Sequence, residues 1–229
     1  MPNIQVIIPA FNEAKSIAKV VQAIPAMVSE IIVINNNSSD ETAIEAKAAG
    51  ATVLTENRPG YGFACLKGMQ YIAQKDGPPD IVVFLDGDFS DYPEDLPQIV
   101  APIISGEADF VVGARVKVIR EKGSMTPQQI FGNNLATFLM KLIFASRFTD
   151  LGPFRAIRYE KLIALNMSDK TYGWTVEMQL KVLKQRIRYV EVPVGYRKRI
   201  GISKVSGTLK GTVLAGYKII GWIIKYSFK

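Results

Sequence analysis

Asp86-Gly87-Asp88 closes an apolar run, Ile81–Leu85, and sets two carboxylates one residue apart. Two hard oxygen ligands so placed can hold a divalent cation, Mg²⁺ or Mn²⁺, and Gly87 between them permits close approach of a ligand or backbone. A cation held there neutralises a diphosphate and stabilises it as a leaving group. An isolated D-G-D reads more readily as a solvated acidic turn. Its place at a strand end, after earlier βα units, favours the metal, because open α/β sheets bind ligands outside the carboxyl ends of their strands. Three more strand ends carry turn-forming loops: Pro9-Ala10-Phe11-Asn12-Glu13, Asn35 to Asp40, and Asn57 to Gly62. Each alone is a loop; together they line one sheet edge where a nucleotide would lie. Neither G-x-G-x-x-G nor G-x-x-x-x-G-K-[ST] is present, which removes dinucleotide and P-loop readings.

Composition narrows the chemistry further. The 229 residues contain no histidine, so a His base or His metal ligand is excluded. A single cysteine, Cys65, forbids an internal disulfide and any Cys-cluster metal site, and suits a reducing compartment. The net charge of +7 is unevenly spread. Eight of the 28 basic side chains follow Glu191 with no acid among them, leaving residues 1–191 near neutral, 20 basic against 21 acidic. Such a C-terminus expects an anionic partner: phosphate, nucleic acid or a membrane surface. Nucleic acid is disfavoured, since the basic residues lack interleaved stacking aromatics. The chain opens on a strand-like run with no basic leader, so no signal peptide is expected. No apolar stretch reaches the ~18–20 residues of a spanning helix.

Elements that position these loops follow from periodicity. Short β-branched runs at Ile4–Ile8, Ile31–Ile34, Thr52–Leu54, Ile81–Leu85 and Phe110–Val112 alternate with helical segments at Glu13–Ile24, Ser39–Ala49, Gly62–Ala73 and Pro93–Ile104. This predicts an α/β fold, a mostly parallel sheet with helices on both faces. Ser38-Ser39-Asp40-Glu41 reads as a helix N-cap and Gly50 as the stop. Beyond residue 115 come a polar loop (117–126), helices at Pro127–Phe144 and Glu177–Gln185, and a strand at Val190–Tyr196.

In order and spacing, these motifs resemble family 2 glycosyltransferases of the GT-A fold, in the branch similar to dolichyl- or polyprenyl-phosphate sugar synthases. The resemblance is carried by Pro9–Glu13, Asn35–Thr42, Asn57–Gly62, Asp86-Gly87-Asp88, Gly113-Ala114-Arg115, Asp150 to Arg155, and Tyr196-Arg197 to Ser203-Lys204. It covers residues 1–207, with a nucleotide-sugar half (1–115) and an acceptor half (116–207), followed by a basic amphipathic tail (208–229). It implies that Pro9, Ala10, Asn12, Glu13, Asn36, Gly62, Gly87 and Arg115 bind a UDP- or GDP-sugar. Asp86 and Asp88 would hold Mg²⁺ or Mn²⁺. It implies an inverting transfer to a polyprenyl or dolichyl phosphate, with Arg155, Glu177, Arg197, Arg199, Ser203 and Lys204 on the acceptor side. Asp88, Asp150 and Arg155 are the expected catalytic residues. Asp150 stands either as a base or as the partner that orients a cation. The chain departs from the family at Asn35 and Asn36, where aspartates are usual, and at Ser90, where some members carry glutamine.

From about Leu209, lysines 218, 225 and 229 fall within about 40° of one another on a helix, and much of the remainder is bulky and apolar. That pattern suits an interfacial helix on an anionic membrane, the cytoplasmic face for a peripheral enzyme of this kind. Packing on the domain's own core and a homo-oligomer contact are the competing readings. A soluble or saccharide acceptor, and a non-catalytic nucleotide-binding protein, are the functional alternatives.

Overall fold

The computed structural model describes residues 2–201 and 209–227. Its single sheet runs β3-β2-β1-β4-β6-β5-β7, with β1 (Ile4–Ala10), β2 (Glu30–Asn35), β3 (Thr52–Thr55), β4 (Ile81–Phe84), β5 (Phe110–Ala114), β6 (Arg155–Arg158) and β7 (Tyr189–Pro193). All neighbours pair in parallel except β6, which is antiparallel to both β4 and β5. The expected α/β architecture is therefore present. The chain leaves β1 for β2 on one side and returns to β4 on the other, which opens a crevice at the carboxyl ends of β1 and β4. The D-G-D segment lies directly after β4.

Strand side chains alternate between two cores, as a period of two requires. Ile7, Ile32, Ile34, Val82, Phe84, Phe110 and Val112 face one layer. Ile4, Val6, Ile8, Val33, Ile81, Val83 and Val111 face the other. The second layer is covered by α1 (Ile17–Ala23), α2 (Thr42–Ala48) and α4 (Leu96–Ile104). The first is covered by α3 (Tyr61–Ala73), α5 (Pro127–Phe144), α6 (Tyr159–Leu165), α7 (Trp174–Lys184) and α8 (Leu209–Ser227).

Sequence periodicity missed β6 and α6. The strand is four residues long with arginine at both ends, too short and too charged at its edges to stand out. Helix α5 begins and ends where expected, fixed by a Thr126–Gln129 capping box, Pro127 in the first turn and Ala145 in the left-handed C-cap. The second helix starts at Thr42 rather than Ser39. Ser38 and Ser39 are spent elsewhere: Asn12 N donates to Ser38 Oγ (3.0 Å) and Ser39 N to Asn12 Oδ1 (2.8 Å). Gly50 stops that helix as expected, at φ +97°.

Helix α8 rests on the domain. Trp222 and Ile223 are buried in the first core, and Trp222 Nε1 donates to Asp169 Oδ2 at 2.7 Å. Asp169 itself is buried and also accepts from Thr171 N and Gly173 N. Gly173 has room for no side chain, because a Cβ there would sit 2.3 Å from the Trp222 indole nitrogen. Among the described residues, no helix is long and apolar enough to cross a membrane.

Trp222→Phe keeps an aromatic ring but takes the indole hydrogen bond from a buried carboxylate oxygen, leaving it only the Lys218 ammonium at 3.7 Å. Denaturant titration should show a loss of about 1–3 kcal/mol; a loss under about 0.5 kcal/mol would mean that this bond does not anchor the helix.

Candidate active site

The crevice is built from four loops. After β1, the chain turns through Asn12 in the left-handed region (φ 54°) into Glu13. Glu13 N donates to Thr42 Oγ1 (2.8 Å), and its carboxylate takes Arg199 Nη2 at 3.0 Å. The same guanidinium reaches Asp88 Oδ2 with Nη1 at 3.2 Å, so Arg199 bridges the first and fourth strand ends. Asp88 Oδ1 is fixed by Ser90 N (2.8 Å) and Ser90 Oγ. Asp86 Oδ1 accepts from the Tyr61 hydroxyl at 3.0 Å. Burial, then the charge of Asp88, pushes the Asp86 carboxyl up to about 7, against the pull of Arg199 and Arg115. Asp86 thus senses both arginines, which places all four groups in one electrostatic cluster.

Arg115 and Asp150 face this pair from the acceptor half. Asp150 Oδ2 accepts from Arg115 N (2.7 Å) and Nε (2.8 Å), and Oδ1 from Nη2 (2.6 Å). Burial alone would raise the Asp150 carboxyl; the Arg115 charge and these bonds outweigh it and hold it below its usual value. A carboxylate so engaged is a weak proton acceptor. The loop that carries it is held from three elements. Thr149 N and Oγ1 and Asp150 N donate to Glu191 on β7. Asn133 of α5 accepts from Leu151 N (2.9 Å) and donates to Thr149 O (3.1 Å). Gln179 of α7 donates to Asp150 O (2.8 Å). Beside it lies a cavity of about 240 Å³ whose lining includes Arg115, Lys117, Arg120, Asn133, Asn134 and Thr149.

Several expected site residues are brought together here: Glu13, Asp86, Gly87, Asp88, Arg115, Asp150 and Arg199. Others depart from expectation. Arg155 is fully buried, and its guanidinium is spent on the carbonyls of Leu151, Gly152 and Thr175, so it meets no phosphate but fastens the Asp150 loop from below. Burial lowers its pKa to about 10. Glu177 is likewise internal, accepting from Ser168 N, Ser168 Oγ, Asp169 N and Lys181 Nζ. Arg197 donates to the carbonyls of Phe89 and Asp91 and lies between the Phe89 and Tyr92 rings, 3.4 and 4.2 Å from their centroids. Asn36 spends its amide on Glu56 O, Arg58 O and Gly60 N, lacing the second and third loops together. Pro9 and Ala10 are buried within β1. Ser203 and Lys204 lie outside the described residues.

Gly62 is needed for a reason other than the one expected. A Cβ there would stand 2.1 Å from Asp169 O, so its close neighbour is the protein's own backbone rather than a nucleoside. At Gly87 a Cβ would meet only ordinary contacts, 3.4 Å and beyond. The fold does not demand glycine there.

Asp91 escaped the sequence reading. It is buried, and neither carboxylate oxygen has a hydrogen-bond partner among the described residues. Burial first, then the negative charges of Asp86 and Asp88, push its carboxyl well above the ordinary value near 3.8. Its spacing, three residues past Asp88, gave no hint of burial, which follows from its bridge to Tyr196 more than a hundred residues away.

A model of glycosyl transferase family 2 matches residues 5–165. The chain belongs to that family. An uncharacterized glycosyltransferase of Mycobacterium bovis is 34% identical over 93% of this chain and 94% of its own. An undecaprenyl-phosphate mannosyltransferase of Micrococcus luteus is 28% identical over 90% and 88%. Among solved structures, glucosyl-3-phosphoglycerate synthase from Mycobacterium tuberculosis, in complex with Mn²⁺, UDP and phosphoglyceric acid, superposes with TM-score 0.77 at 24% identity. That match covers 99% of this chain and 78% of the synthase, a likeness of fold. The chain is a glycosyltransferase with the GT-A architecture.

Two substitutions test the site's construction. Gly62→Ala drives a methyl into the Asp169 carbonyl and should cost about 1–3 kcal/mol in chemical denaturation; an unchanged midpoint would show that the loop yields freely. Asp91→Asn tests the buried carboxyl. A carboxyl raised in the folded state contributes stability that is full below its unfolded value and is lost as pH rises. Asparagine has no such loss, so the variant's Tm should gain on the parent between pH 5 and pH 8, by about 2–4 °C per kcal/mol of relieved repulsion. A pH-independent difference would refute this.

Proposed function

We propose that this glycosyltransferase moves a sugar, with inversion, from a UDP- or GDP-sugar to a polyprenyl phosphate at the cytoplasmic membrane face. The observation that carries the donor half is the carboxylate pair Asp86–Asp88 at the β1/β4 crevice, with Arg199 beside it. The donor set fits Mg²⁺ or Mn²⁺: the Asp86 and Asp88 carboxylates stand close enough to feel one another's charge, and Mg²⁺ sites commonly use one or two carboxylates completed by substrate phosphates and water. When bound, the ion offsets charge on the departing diphosphate. Asp86 and Asp88 supply its protein ligands, and Arg199 adds positive charge next to them.

A phosphate oxygen of the acceptor forms the new bond to the sugar's anomeric carbon as the bond to the diphosphate oxygen breaks. A phosphomonoester arrives already anionic and needs no strong base, which accords with a chain lacking histidine and with an Asp150 committed to Arg115. Asp150 then acts by orienting Arg115, and Arg155 by fixing the turn that carries Asp150. Positioning and charge stabilisation supply the rate. Support for the lipid acceptor comes from the mannosyltransferase relative and from the acid-free C-terminal segment.

A second reading keeps the donor site and takes a small soluble phosphate ester. It is favoured by the cavity beside Asp150, whose lining includes the cations Arg115, Lys117 and Arg120, and by the phosphoglyceric acid named with the solved synthase. Radiolabelled nucleotide sugars offered with undecaprenyl phosphate or with phosphoglycerate separate the two readings, since label extracted into organic solvent reports the lipid product and label only in the aqueous phase the soluble one. Asp88→Asn retains an oxygen for Ser90 but removes the charge. Transfer should fall by roughly 10²–10³ with an unchanged circular dichroism spectrum; full activity would sink the metal-dependent mechanism.

A further inference from the structure

Helix α8 is apolar on two sides. One side, Trp222 and Ile223, enters the core; the other leaves Leu214, Tyr217, Ile220 and Ile224 exposed, Tyr217 by 75%. Helix α5 packs against α8 and rests on the same core through Ala136 and Met140, so the outward sides of the two helices belong to one face of the molecule. On α5 that side is also apolar. Phe131, Phe138 and Leu142 are 70%, 61% and 71% exposed, and with half-buried Leu135 they recur at intervals of four, three and four, a single helical stripe. A monomeric protein in water rarely leaves so much contiguous apolar surface uncovered.

Charge identifies what covers it. Residues 122–149 and 192–229, the two segments that contain α5 and α8, carry no acidic side chain, although the chain has 21. Lys141, Arg147 and Lys225 are exposed around the stripes, as is Lys218, whose ammonium also stands 3.7 Å from Asp169 Oδ2. Bulky apolar side chains flanked by cations, on two segments that carry no acid of their own, complement an anionic lipid surface, where each cation near the headgroups adds about 1 kcal/mol.

We infer that α5 and α8 together form a docking face for anionic bilayers, with α5 as an inserting helix in its own right and α8 not acting alone. The placement has chemical sense. Ile130, Asn133 and Asn134 near the start of α5 line the cavity beside Asp150, while Phe138 and Leu142 face outward. A bilayer seated on the outer side therefore lies one helix away, about 10 Å, from the cavity where an acceptor phosphate would enter. The inference deepens the lipid-acceptor reading and rests on it for its purpose, but its test uses vesicles without any acceptor.

Flotation with vesicles of phosphatidylglycerol and phosphatidylcholine, against phosphatidylcholine alone, measures docking. The full chain should float with the anionic vesicles and lose binding as salt is raised. Phe138→Glu/Leu142→Glu, both exposed and away from the crevice, should keep the parent's Tm and its turnover of a short, water-soluble prenyl phosphate while lowering vesicle partition at least about tenfold. Retained flotation in that variant, with loss only on Ile224→Glu, would overturn a role for α5. Failure of the parent to float, together with a dimer in light scattering that the same α5 substitutions dissociate, would assign the face to a second copy of the chain. Transfer to undecaprenyl phosphate in detergent reports the acceptor reading separately: it can succeed where flotation fails, and the reverse.

Discussion

Crowding of negative charge at the carboxyl ends of β1 and β4 is the constraint around which the rest of the molecule is arranged. Asp86, Asp88, Asp91 and Asp150 feel one another in a partly dehydrated cleft, with Glu13 joined to them through Arg199. Two arginines, Arg115 and Arg199, answer them from opposite sides. Like charges in a low-dielectric site repel strongly, and an enzyme retains such an arrangement where charge must be handled in the reaction. The remaining imbalance appears as an Asp86 carboxyl near 7 and an Asp91 carboxyl also raised well above its ordinary value. Everything that fixes the arginines, from the Tyr196 ring under Arg115 to Glu13 beside Arg199, serves the same balance.

The antiparallel strand β6 explains how one sheet brings the two sides together. Inserted between β4 and β5, it follows directly on the turn that bears Asp150 and so delivers that residue beside Arg115 at the end of β5. Arg155, the first residue of β6, then reaches back beneath the same turn and takes its carbonyls. A buried guanidinium satisfied by backbone oxygens is a rigid fixture, because each donor released from a carbonyl would be left without a partner.

Much of this was legible in the amino-acid order, and the boundary is instructive. Continuous β-branched runs reveal buried parallel strands because both faces are covered, and D-G-D after Phe84 and Leu85 is therefore placed at the crevice without further information. What could not be read are contacts across long separations. Arg155, Glu177 and Arg197 were expected on the acceptor side; their partners are carbonyls and loop amides that only the folded chain assembles. Asn36 resembled a base-recognition residue by position, yet its amide is consumed by residues 56–60. Gly62 looked like a ligand contact, but the crowding comes from Asp169, more than a hundred residues away. Polar type and local spacing announce chemistry; they do not announce whether the partner is a substrate or the protein itself.

Asp169 has a consequence for how the C-terminal helix should be regarded. Its side chain receives the indole of Trp222 while its own carbonyl presses on Gly62 at the start of α3, the helix whose Tyr61 hydroxyl holds Asp86. Cutting the chain before Leu209 would look like trimming a basic appendage. It would instead open a hole where Trp222 and Ile223 fill the core, and loosen the joint against which the donor-side helix is set. The segment that reads as an address label is also a structural wedge, so a shortened protein cannot serve as a clean measure of what that segment binds.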